Sequence, residues 1–319
     1  MSIERLAVVI PVHGPLDPVL PLLEDLLGAD VPAPDRPARV LLVDDASPEP
    51  LSAAALPAGA EVLRRERNGG FGAAVNTGLS ALAQSEGTGG SPDLALVLNS
   101  DLRVPTGFIR DLLAHAAPWM PAVVGVRSAD EDGRSGYAAR FFPTIGHQVV
   151  EWLVPLASQR ERDLLHRAVG HDLAAERGHG MIPVDWVSGA VLLLPIAEVR
   201  RLGGFDEGYF MYTEEVDLQL RLRREGIPSL LDADLQVIHA GGGSSGGEAR
   251  RRQWLVGARM RYARKHGNVH LLRAGMTAAT GANLVWNTGR RLAGRDVDPL
   301  AVAREELDLI HRAGRELPR

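Results

Sequence analysis

The chain contains no cysteine, only one lysine and few aromatic residues, which make up 5% of its 319 positions. Without cysteine it has no disulfides and no thiolate metal sites. Any bound metal must therefore use oxygen or imidazole ligands, which favours Mg²⁺ or Mn²⁺. The formal net charge is −5, so the composition does not support a nucleic-acid-binding protein.

Long apolar runs are also absent. No stretch of about 18 consecutive apolar residues occurs, so we expect no membrane-spanning helix. The first residues lead directly into a strand-like run at 6–12 and show no signal-peptide pattern. These features predict a cytoplasmic protein and leave open an association with the inner face of the membrane.

Apolar runs alternate with helical patterns through the first half of the chain. This alternation predicts an α/β fold with a mixed, mostly parallel sheet flanked by helices. From about residue 248 the pattern is helical to the end, with breaks expected near Gly289 and Pro299. Glycine- and serine-rich stretches at 85–92 and 241–247 predict loops. The predicted strands lie at 6–12, 40–43, 61–63 and 94–98, and the predicted helices at 19–27 and 71–84.

Polar segments follow three of these strands, at 11–13, 44–47 and 99–101. In an open α/β sheet, ligands bind beyond the carboxyl ends of the strands, so a shared ligand site is expected at this edge. Asp101 is suited to hold a divalent cation that bridges two phosphates. The alternative is that these Asp and Ser residues cap helices or close turns.

A glycine-rich segment at 67–78 enters the second predicted helix. Its backbone N–H groups are suited to face a phosphate or a nucleoside. The segment is not a dinucleotide fingerprint, because Val75 stands where a third glycine or alanine is needed, and the chain has no P-loop motif. The alternative is a tight turn with close helix packing.

The segment 203–221 combines an aromatic run with three carboxylates in four positions, Glu214, Glu215 and Asp217. A carboxylate pair beside aromatic rings suits a buried base that faces a hydroxyl-bearing substrate. Adjacent residues on a helix point about 100° apart, so one of the pair is expected to face the substrate. The alternative is an acidic helix N-terminus that complements the helix dipole.

Seven motifs occur in the order found in family 2 glycosyltransferases. The chain resembles most their rhamnosyltransferase-like branch, which includes enzymes that extend lipid-linked cell-wall precursors. The resemblance covers about residues 6–245 and is loose in the C-terminal helices. The motifs are Asp44-Asp45-Ala46-Ser47, Asn68-x-Gly70-Phe71-Gly72-x-Ala74-x-Asn76-x-Gly78, Asn99-Ser100-Asp101, Trp186-Val187-Ser188-Gly189-Ala190, Gly204-Phe205-Asp206-Glu207, Glu214-Glu215-Val216-Asp217 and His239.

The resemblance implies a GT-A fold, a divalent metal and single displacement with inversion. The implied donor is a nucleoside diphosphate sugar of the dTDP-rhamnose type, and the implied acceptor is a sugar or a lipid-linked sugar. A catalytic domain is expected at 1–247, with a nucleotide-binding half at about 1–127 and an acceptor-binding half at 128–247. Residues 248–319 are expected to form a helical extension.

Site roles follow from the same resemblance. Glu215 would be the catalytic base, with Glu214 as the alternative. Asp101 and His239 would bind the metal, and Asp44 would contact the nucleobase. The implied donor-binding residues are Pro11, Val12, Asp44, Ser47, Asn68, Gly72, Asn76, Asn99, Ser100 and Asp101. The implied residues of the acceptor cleft are Trp186, Ser188, Gly189, Asp206 and Tyr212.

The chain departs from the family pattern at two places. Glu214-Glu215 stands where the family often has Glu-Asp, which leaves the choice of base open. Asn99 replaces one of the two acids common in the metal motif, so the ligand that partners Asp101 is also open. His239 either completes the metal site or ends a buried strand.

The C-terminal segment suggests partners. Seven basic residues either bind a lipid diphosphate or an anionic membrane surface, or form a solvated helix face balanced by Glu305, Glu306 and Asp308. The moderately apolar stretch 274–286 is too short to span a membrane. It is expected to lie on a membrane, to pack on the catalytic domain or to join subunits of a homo-oligomer. The basic residues are Arg250, Arg251, Arg252, Arg259, Arg261, Arg264 and Lys265.

Two other functions are compatible with parts of this pattern. A sugar-phosphate nucleotidyltransferase would share the sheet and the metal. It should also have a glycine-rich loop with a basic residue after the first strand, which residues 11–15 lack. A non-catalytic nucleotide-sugar-binding module would keep the fold, but Asp101, Glu214 and Glu215 are all present. An inverting glycosyltransferase is therefore the leading expectation.

Overall fold

A mixed β-sheet with helices on both faces forms the centre of the computed structural model, which describes residues 5–84, 92–159, 162–239 and 247–313. All strands and helices predicted in the first half of the chain are present. The strands are β1 (Leu6–Val12), β2 (Arg39–Asp44), β3 (Ala60–Arg64), β4 (Leu94–Leu98), β5 (Leu102–Arg103), β6 (Val123–Ala129), β7 (Ala139–Arg140), β8 (Met181–Val184), β9 (Trp186–Val187), β10 (Val191–Pro195) and β11 (Ser229–His239). The α-helices are α1 (Leu20–Leu27), α2 (Phe71–Gln84), α3 (Phe108–Ala116), α4 (Ile145–Trp152), α5 (Asp163–Ala168), α6 (Leu173–Glu176), α7 (Ile196–Arg201), α8 (Glu214–Arg224), α9 (Glu248–His266), α10 (Val269–Leu292) and α11 (Pro299–Arg312).

The strand order of the main sheet is β3-β2-β1-β4-β10-β6-β11-β5, and β8 pairs with β11. The first four strands are parallel, whereas β10 runs antiparallel between β4 and β6. A register shift between Asp232 and Gln236 interrupts the pairing of β11 with β6. A separate two-stranded ribbon, β7 and β9, places Arg140 opposite Trp186.

The buried strands are apolar on both faces because helices cover both sides of the sheet. In β1, Val8 and Ile10 belong to one hydrophobic cluster, which α1 and α3 complete. Ala7 and Val9 belong to a second cluster, which α2 completes. Successive side chains of a strand point to opposite faces, so one apolar run supplies both cores. Polar side chains are therefore concentrated at the strand ends.

The three C-terminal helices pack on the rest of the protein through shared hydrophobic clusters. Trp152 of α4 lies in one cluster with Met260 of α9, Leu272 of α10 and Ile310 of α11. Another cluster joins Trp186 to side chains of α9. The predicted division into a catalytic domain and a helical extension stays a prediction, and these clusters cross its boundary.

The breaks between these helices differ from the prediction at one point. The helix α10 continues through Gly289, so the break expected there is wrong. A glycine costs a helix only about 1 kcal/mol, which the packing of α10 against α4 and α11 can offset. A break follows Gly267 instead, where Asn268 Oδ1 accepts hydrogen bonds from the first N–H groups of α10 at 3.0 Å. The break near Pro299 is confirmed, because α11 begins there.

The predicted loops at 85–92 and 241–247 fall mainly on residues 85–91 and 240–246, which lie outside the described part of the chain. Among the helices that are described, none is both long enough and apolar enough to cross a membrane.

Candidate active site

The polar segments that follow β1, β2 and β4 lie side by side at one edge of the sheet. The strand β1 pairs in parallel with β2 and β4, and Val12 at its end lies opposite Asp44. The loops after β1 and β2 are also joined, because Gly14 N–H donates to Ser47 Oγ at 3.0 Å. This edge contains the predicted donor-binding residues Pro11, Val12 and Ser47.

Asp44 is fully buried, and its carboxylate is engaged inside the protein. One oxygen accepts the N–H of Ser47 at 2.8 Å, and the other accepts the N–H of Leu51 at 3.2 Å and a guanidinium N–H of Arg64. Burial alone would raise the pKa of Asp44, but these hydrogen bonds outweigh it and lower the pKa. Asp44 therefore holds the loop after β2, and its predicted contact with the nucleobase stays a prediction.

Asp45, which belongs to the first motif but had no separate predicted role, organises the glycine-rich turn. Its carboxylate accepts the N–H groups of Gly69 at 3.0 Å and Gly70 at 2.8 Å, and it forms an ion pair with Arg65. Asn68 Oδ1 accepts the same Gly70 N–H at 3.0 Å. The two adjacent acids therefore stabilise different segments. Asp44 holds its own loop, and Asp45 holds the turn before α2.

This turn and α2 are packed against the aromatic segment. A Cβ on Gly70, whose φ is +85°, would lie 1.7 Å from the carbonyl oxygen of Phe210, so only glycine fits. Asn76 Nδ2 donates to Phe205 O at 2.9 Å, and Phe205 N–H donates to Asn76 Oδ1 at 2.8 Å. Gly72 lies directly against the Phe205 side chain. Gly72 and Asn76 hold the segment that precedes α8, and their role in donor binding stays a prediction.

Asp101 and His239, the predicted metal ligands, face each other. His239 Nε2 lies 3.1 Å from Asp101 Oδ1 and 3.3 Å from Asn99 Nδ2. They meet because the end of β11 pairs with β5, which places His239 opposite Leu102. Ser100 is partly exposed beside them. A carboxylate and an imidazole are suitable ligands for a divalent cation. Within the described ranges no group of three or more His, Asp or Glu residues forms a larger metal cluster.

A strained turn starts the helix α8. Tyr212 and Thr213 have φ values of 72° and 70°, in the left-handed region that residues other than glycine rarely adopt. Two such residues in succession cost about 1–3 kcal/mol each and tend to occur at functional sites. The turn places Glu214 at the first position of α8, and the Arg251 guanidinium lies 6.0 Å from the centre of the Tyr212 ring.

Glu214 and Glu215 face different surroundings. Glu214 is 3% exposed and packs towards Gly72, and its Oε2 has no hydrogen-bond partner. Glu215 is half-buried and faces Gly189, where a Cβ would lie 3.7 Å from Glu215 Cγ and 3.6 Å from the Phe71 ring. Gly189 therefore leaves space next to Glu215 that any other residue would reduce.

Burial raises the pKa of both glutamates. For Glu214 the neighbouring charge of Glu215 adds to the effect of burial. For Glu215 the increase is opposed by the positive charge of Arg140 and by the backbone N–H of Gly189. Of the two, Glu214 is therefore the more readily protonated, and Glu215 keeps favourable contacts for its charge.

The predicted donor and acceptor sides meet at the start of β10. Asn99 N–H donates to Ala190 O at 2.9 Å, which places the segment containing Asp101 beside the 189–190 backbone. Gly189 in turn lies against Glu215. The structure therefore places the loop that carries Asp101 and one acid of the pair against the same short backbone segment.

Arg140 is a further site residue, and no motif in the sequence marked it. Its guanidinium lies 5.5 Å from the centre of the Trp186 ring. Burial lowers the pKa of Arg140, whereas the nearby carboxylates of Glu151 and Glu215 raise it. The predicted cleft residue Ser188 lies in the same region, and its N–H donates to Ala138 O at 2.9 Å. The pairing of β7 with β9 places Arg140 opposite Trp186, and the charge of Arg140 acts on Glu215 from there.

Asp206 binds two side chains of α9, and its place in the acceptor cleft stays a prediction. Its carboxylate accepts hydrogen bonds from Arg261 at 2.7 Å, Lys265 at 2.8 Å and the N–H of Gly208 at 2.9 Å. Burial alone would raise the pKa of Asp206, but these donors outweigh it and hold the pKa well below its usual range. This arrangement joins the aromatic segment to the C-terminal helices.

Comparison with known proteins agrees with this geometry. The model of the family described as "Glycosyl transferase family 2" matches residues 7–169. The chain is 33% identical over 235 residues to N-acetylglucosaminyl-diphospho-decaprenol L-rhamnosyltransferase of Mycobacterium tuberculosis. The aligned residues cover 71% of this chain and 74% of that protein. The chain belongs to glycosyl transferase family 2. The predicted enzyme class and the likeness to the rhamnosyltransferase branch are confirmed.

Two other proteins resemble this family 2 glycosyltransferase. Rhamnosyltransferase WbbL of Escherichia coli K12 is 30% identical over 91 residues, which are 28% of this chain and 30% of WbbL. The solved mannosyltransferase PcManGT of Pyrobaculum calidifontis, in complex with GDP-Man and Mn²⁺, aligns with a TM-score of 0.52. That alignment covers 96% of this chain and 85% of the mannosyltransferase at 14% identity, so it shows a shared fold. The predicted fold class is thereby confirmed.

The basic cluster of this glycosyltransferase is largely engaged within the chain. Arg261 and Lys265 bind Asp206, Arg259 pairs with Glu151, and Arg264 donates to a backbone carbonyl. The prediction that acids of α11 neutralise the basic cluster therefore holds for few of its residues. Among the described residues, only Arg252 of this cluster pairs with them, through Glu305 and Glu306.

Proposed function

We propose that this glycosyltransferase transfers a rhamnose-type sugar from a nucleoside diphosphate donor to a hydroxyl of a sugar carried on a lipid diphosphate. The observation that supports it most is that the 189–190 backbone joins both parts of the site. Asn99, two residues before Asp101, donates to Ala190 O, and Gly189 lies against Glu215. The mycobacterial relative supports the choice of rhamnose and of a lipid-linked acceptor, because its name specifies both.

Glu215 is the proposed base. As the acceptor oxygen forms a bond to the anomeric carbon of the donor, the hydroxyl proton passes to a Glu215 carboxylate oxygen. The bond from that carbon to the diphosphate breaks, and attack from the opposite face inverts the anomeric configuration. A raised pKa makes Glu215 a stronger base than a surface glutamate and suits proton transfer nearer to neutral pH.

Asp101 and His239 are the residues proposed to hold a divalent cation, and their facing oxygen and nitrogen atoms support this. Because one of the two is an imidazole, Mn²⁺ fits this pair better than Mg²⁺, which takes oxygen ligands. When bound, such a cation neutralises charge on the departing diphosphate. Asn99 lies against His239 and helps to orient its ring.

The nucleoside is proposed to bind at the edge formed by the loops after β1 and β2. Pro11, Ser47 and Asn68 belong to the segments that form this edge, and they support the proposal by position. Asp44 and Asp45 hold those segments in place by accepting hydrogen bonds from backbone N–H groups. A rigid backbone frame of this kind lowers the entropy lost when a ligand binds.

Peripheral contact with a membrane is part of the proposal, because a lipid-linked acceptor resides there. The helix α10 has exposed apolar side chains that suit such a contact, since Val285 is 75% exposed, Trp286 46% and Leu292 85%. Assembly of a homo-oligomer through these helices stays a prediction.

Replacement of Glu215 by Gln tests the proposed base. We expect Glu215→Gln to lower the rate of sugar transfer by about 10²–10⁴-fold, because the amide cannot accept the hydroxyl proton. Binding of dTDP-rhamnose in the presence of Mn²⁺, measured by thermal shift, should remain, because Glu215 lies on the acceptor side. Transfer is measured with a prenyl diphosphate-linked N-acetylglucosamine acceptor.

The matched control is Glu214→Gln, which removes the same charge one position earlier. Since Glu214 is buried away from Gly189, this variant should retain much more transfer activity than Glu215→Gln. Full activity in Glu215→Gln would remove Glu215 as the base. Absence of a thermal shift with every nucleotide sugar tested would contradict the proposed donor class.

A further inference from the structure

A cavity of about 570 Å³ lies between the C-terminal helices and α4. Its volume is within the range of small-molecule sites, about 300–1,000 Å³. Four arginines and only two acids line it, together with apolar side chains such as Trp152. The charged residues are Arg251, Arg252, Arg259, Arg290, Glu151 and Glu306.

Two of the four arginines have no carboxylate partner among the described residues. Arg259 pairs with Glu151, and Arg252 pairs with Glu305 at 3.3 Å. Arg290 donates instead to the side-chain oxygen of Asn287 at 3.2 Å, and Arg251 lies over an aromatic ring. Within the described part of the chain, the cavity therefore presents two guanidinium groups without a carboxylate partner. Guanidinium groups bind phosphate oxygens with well-matched geometry.

The cavity is connected to the acceptor side of the active site. Arg251 lines the cavity, and its guanidinium also lies 6.0 Å from the centre of the Tyr212 ring, next to the turn that starts α8. Arg140 connects the two regions as well. It is close enough to Glu215, to Glu151 and to Arg259 for each of these charges to influence its pKa.

We propose that this cavity binds the diphosphate of the lipid-linked acceptor, with Arg251 and Arg290 in contact with the phosphate oxygens. This inference rests on the proposed function. In a glycosyl diphosphate lipid, the diphosphate is attached to the sugar that presents the hydroxyl, so it must lie within about one sugar ring of the base. The basis for this placement is Arg251, which lines the cavity and lies over Tyr212, three residues before Glu215.

The surroundings of the cavity also suit the prenyl chain that follows the diphosphate. Trp152, Leu255 and Val256 contribute apolar surface inside the cavity. Trp286 lies one helical turn before Arg290 and is 46% exposed, so it extends this apolar surface along α10. The diphosphate would thus contact the arginines of the cavity, and the prenyl chain would contact the apolar surface that continues along α10.

The test compares two double variants of the full chain. Arg251→Gln/Arg290→Gln removes both proposed contacts, and Arg250→Gln/Arg304→Gln removes the same charge from exposed positions of α9 and α11 outside the cavity. Farnesyl diphosphate is the probe, and its Kd is measured by calorimetry. We expect the first variant to raise this Kd about tenfold or more and the second to leave it within about twofold.

Two further probes distinguish the sources of phosphate. Phosphatidylglycerol vesicles report binding to lipid headgroups, and dTDP reports binding at the donor site. Loss of binding to farnesyl diphosphate with unchanged dTDP binding supports the proposal. Equal losses in both double variants, an unchanged Kd for farnesyl diphosphate, or a loss confined to the vesicles would each overturn it.

Kinetics separate this inference from the proposed function. With a prenyl diphosphate-linked acceptor, the Arg251→Gln/Arg290→Gln variant should raise the acceptor KM about tenfold, while kcat and donor hydrolysis stay unchanged. Transfer with an unchanged acceptor KM would contradict the proposed role of the cavity and leave the proposed function intact. If no sugar is transferred by any variant, the proposed function fails, and the farnesyl diphosphate measurement still decides the cavity. Arg251→Lys/Arg290→Lys, which keeps the charge, is the second variant if the Gln variant does not fold.

Discussion

At the scale of single residues, the burial of Glu214 has a consequence for stability. The residue is 3% exposed, and one of its carboxyl oxygens has no hydrogen-bond partner. Burial, followed by the charge of Glu215, raises its pKa well above the ordinary value of 4.5. The folded protein therefore holds a proton there that the unfolded chain releases as the pH rises above about 4.5.

We predict that Glu214→Gln stabilises the protein at neutral and alkaline pH. A raised pKa favours the folded state fully below the unfolded-state value, and this contribution is lost as the pH rises through the folded-state pKa. The neutral Gln avoids the loss, so the gain should be near zero at about pH 4 and increase up to pH 8. Each unit of pKa difference is equivalent to about 1.4 kcal/mol.

Urea unfolding at several pH values measures this effect. The matched control is Glu49→Gln, because Glu49 is exposed and its replacement should leave the pH dependence of unfolding unchanged. A stabilisation by Glu214→Gln that is equally large at pH 4 and pH 8 would be incompatible with a raised pKa.

At the scale of elements, the turn before α2 depends on one glycine. Gly70 combines a φ of +85° with direct contact to the backbone of Phe210, and its N–H donates to Asp45. The turn thus connects the sheet edge on one side with the aromatic segment before α8 on the other. Any change in its backbone should affect both halves of the site.

We predict that Gly70→Ala destabilises the protein by about 2 kcal/mol or more, because the new Cβ would overlap the carbonyl oxygen of Phe210 and force the backbone apart. Gly133→Ala is the matched control. Gly133 has a φ of +79° but nothing within 4 Å of the added Cβ, so it should lose only the conformational term of about 1–2 kcal/mol. Chemical denaturation measures both, and equal losses would show that the contact with Phe210 has no energetic effect.

At the scale of the whole molecule, α9 is joined to the catalytic core through buried carboxylates. Asp217 in α8 is fully buried and accepts bonds from Arg221 at 2.8 Å, Lys265 at 3.0 Å and His266 at 2.6 Å. Burial alone would raise the pKa of Asp217, but these partners outweigh it and lower the pKa. Its stabilising contribution is therefore present above the unfolded-state pKa and lost as the pH falls through the folded-state value.

We predict that Asp217→Asn lowers the free energy of unfolding by about 3 kcal/mol at pH 7, because it leaves basic side chains without their buried partner. Asp308→Asn is the matched control, since its ion pair with Arg312 is exposed and should contribute less than about 1 kcal/mol. Thermal and urea unfolding compare the two variants. A similar small effect of both would show that α9 is held by its apolar contacts alone.

Much of the donor side of the site could be predicted from the sequence. Parallel apolar strands bring their carboxyl ends to one edge, so the segments after β1, β2 and β4 were expected to lie together. The meeting of Asp101 with His239 agrees with the order of the motifs, although 137 residues lie between the two in the chain. It depends more on the pairing of β5 with β11 across the sheet than on that order. The break near Gly289 was wrong because helix packing outweighed local propensity.

The sequence by itself determined the strands, the sheet edge and the presence of an acidic pair, because these depend on local patterns of apolar and charged residues. Only the tertiary structure decided which acid is buried and which is partly exposed beside Gly189. Two neighbours on a helix point about 100° apart, and packing against Gly72 and Gly189 selects between them. The tertiary structure also decided which acids pair with the basic cluster and where Arg140 lies. The partners of these residues are distant in the chain, and only folding brings the opposite charges together.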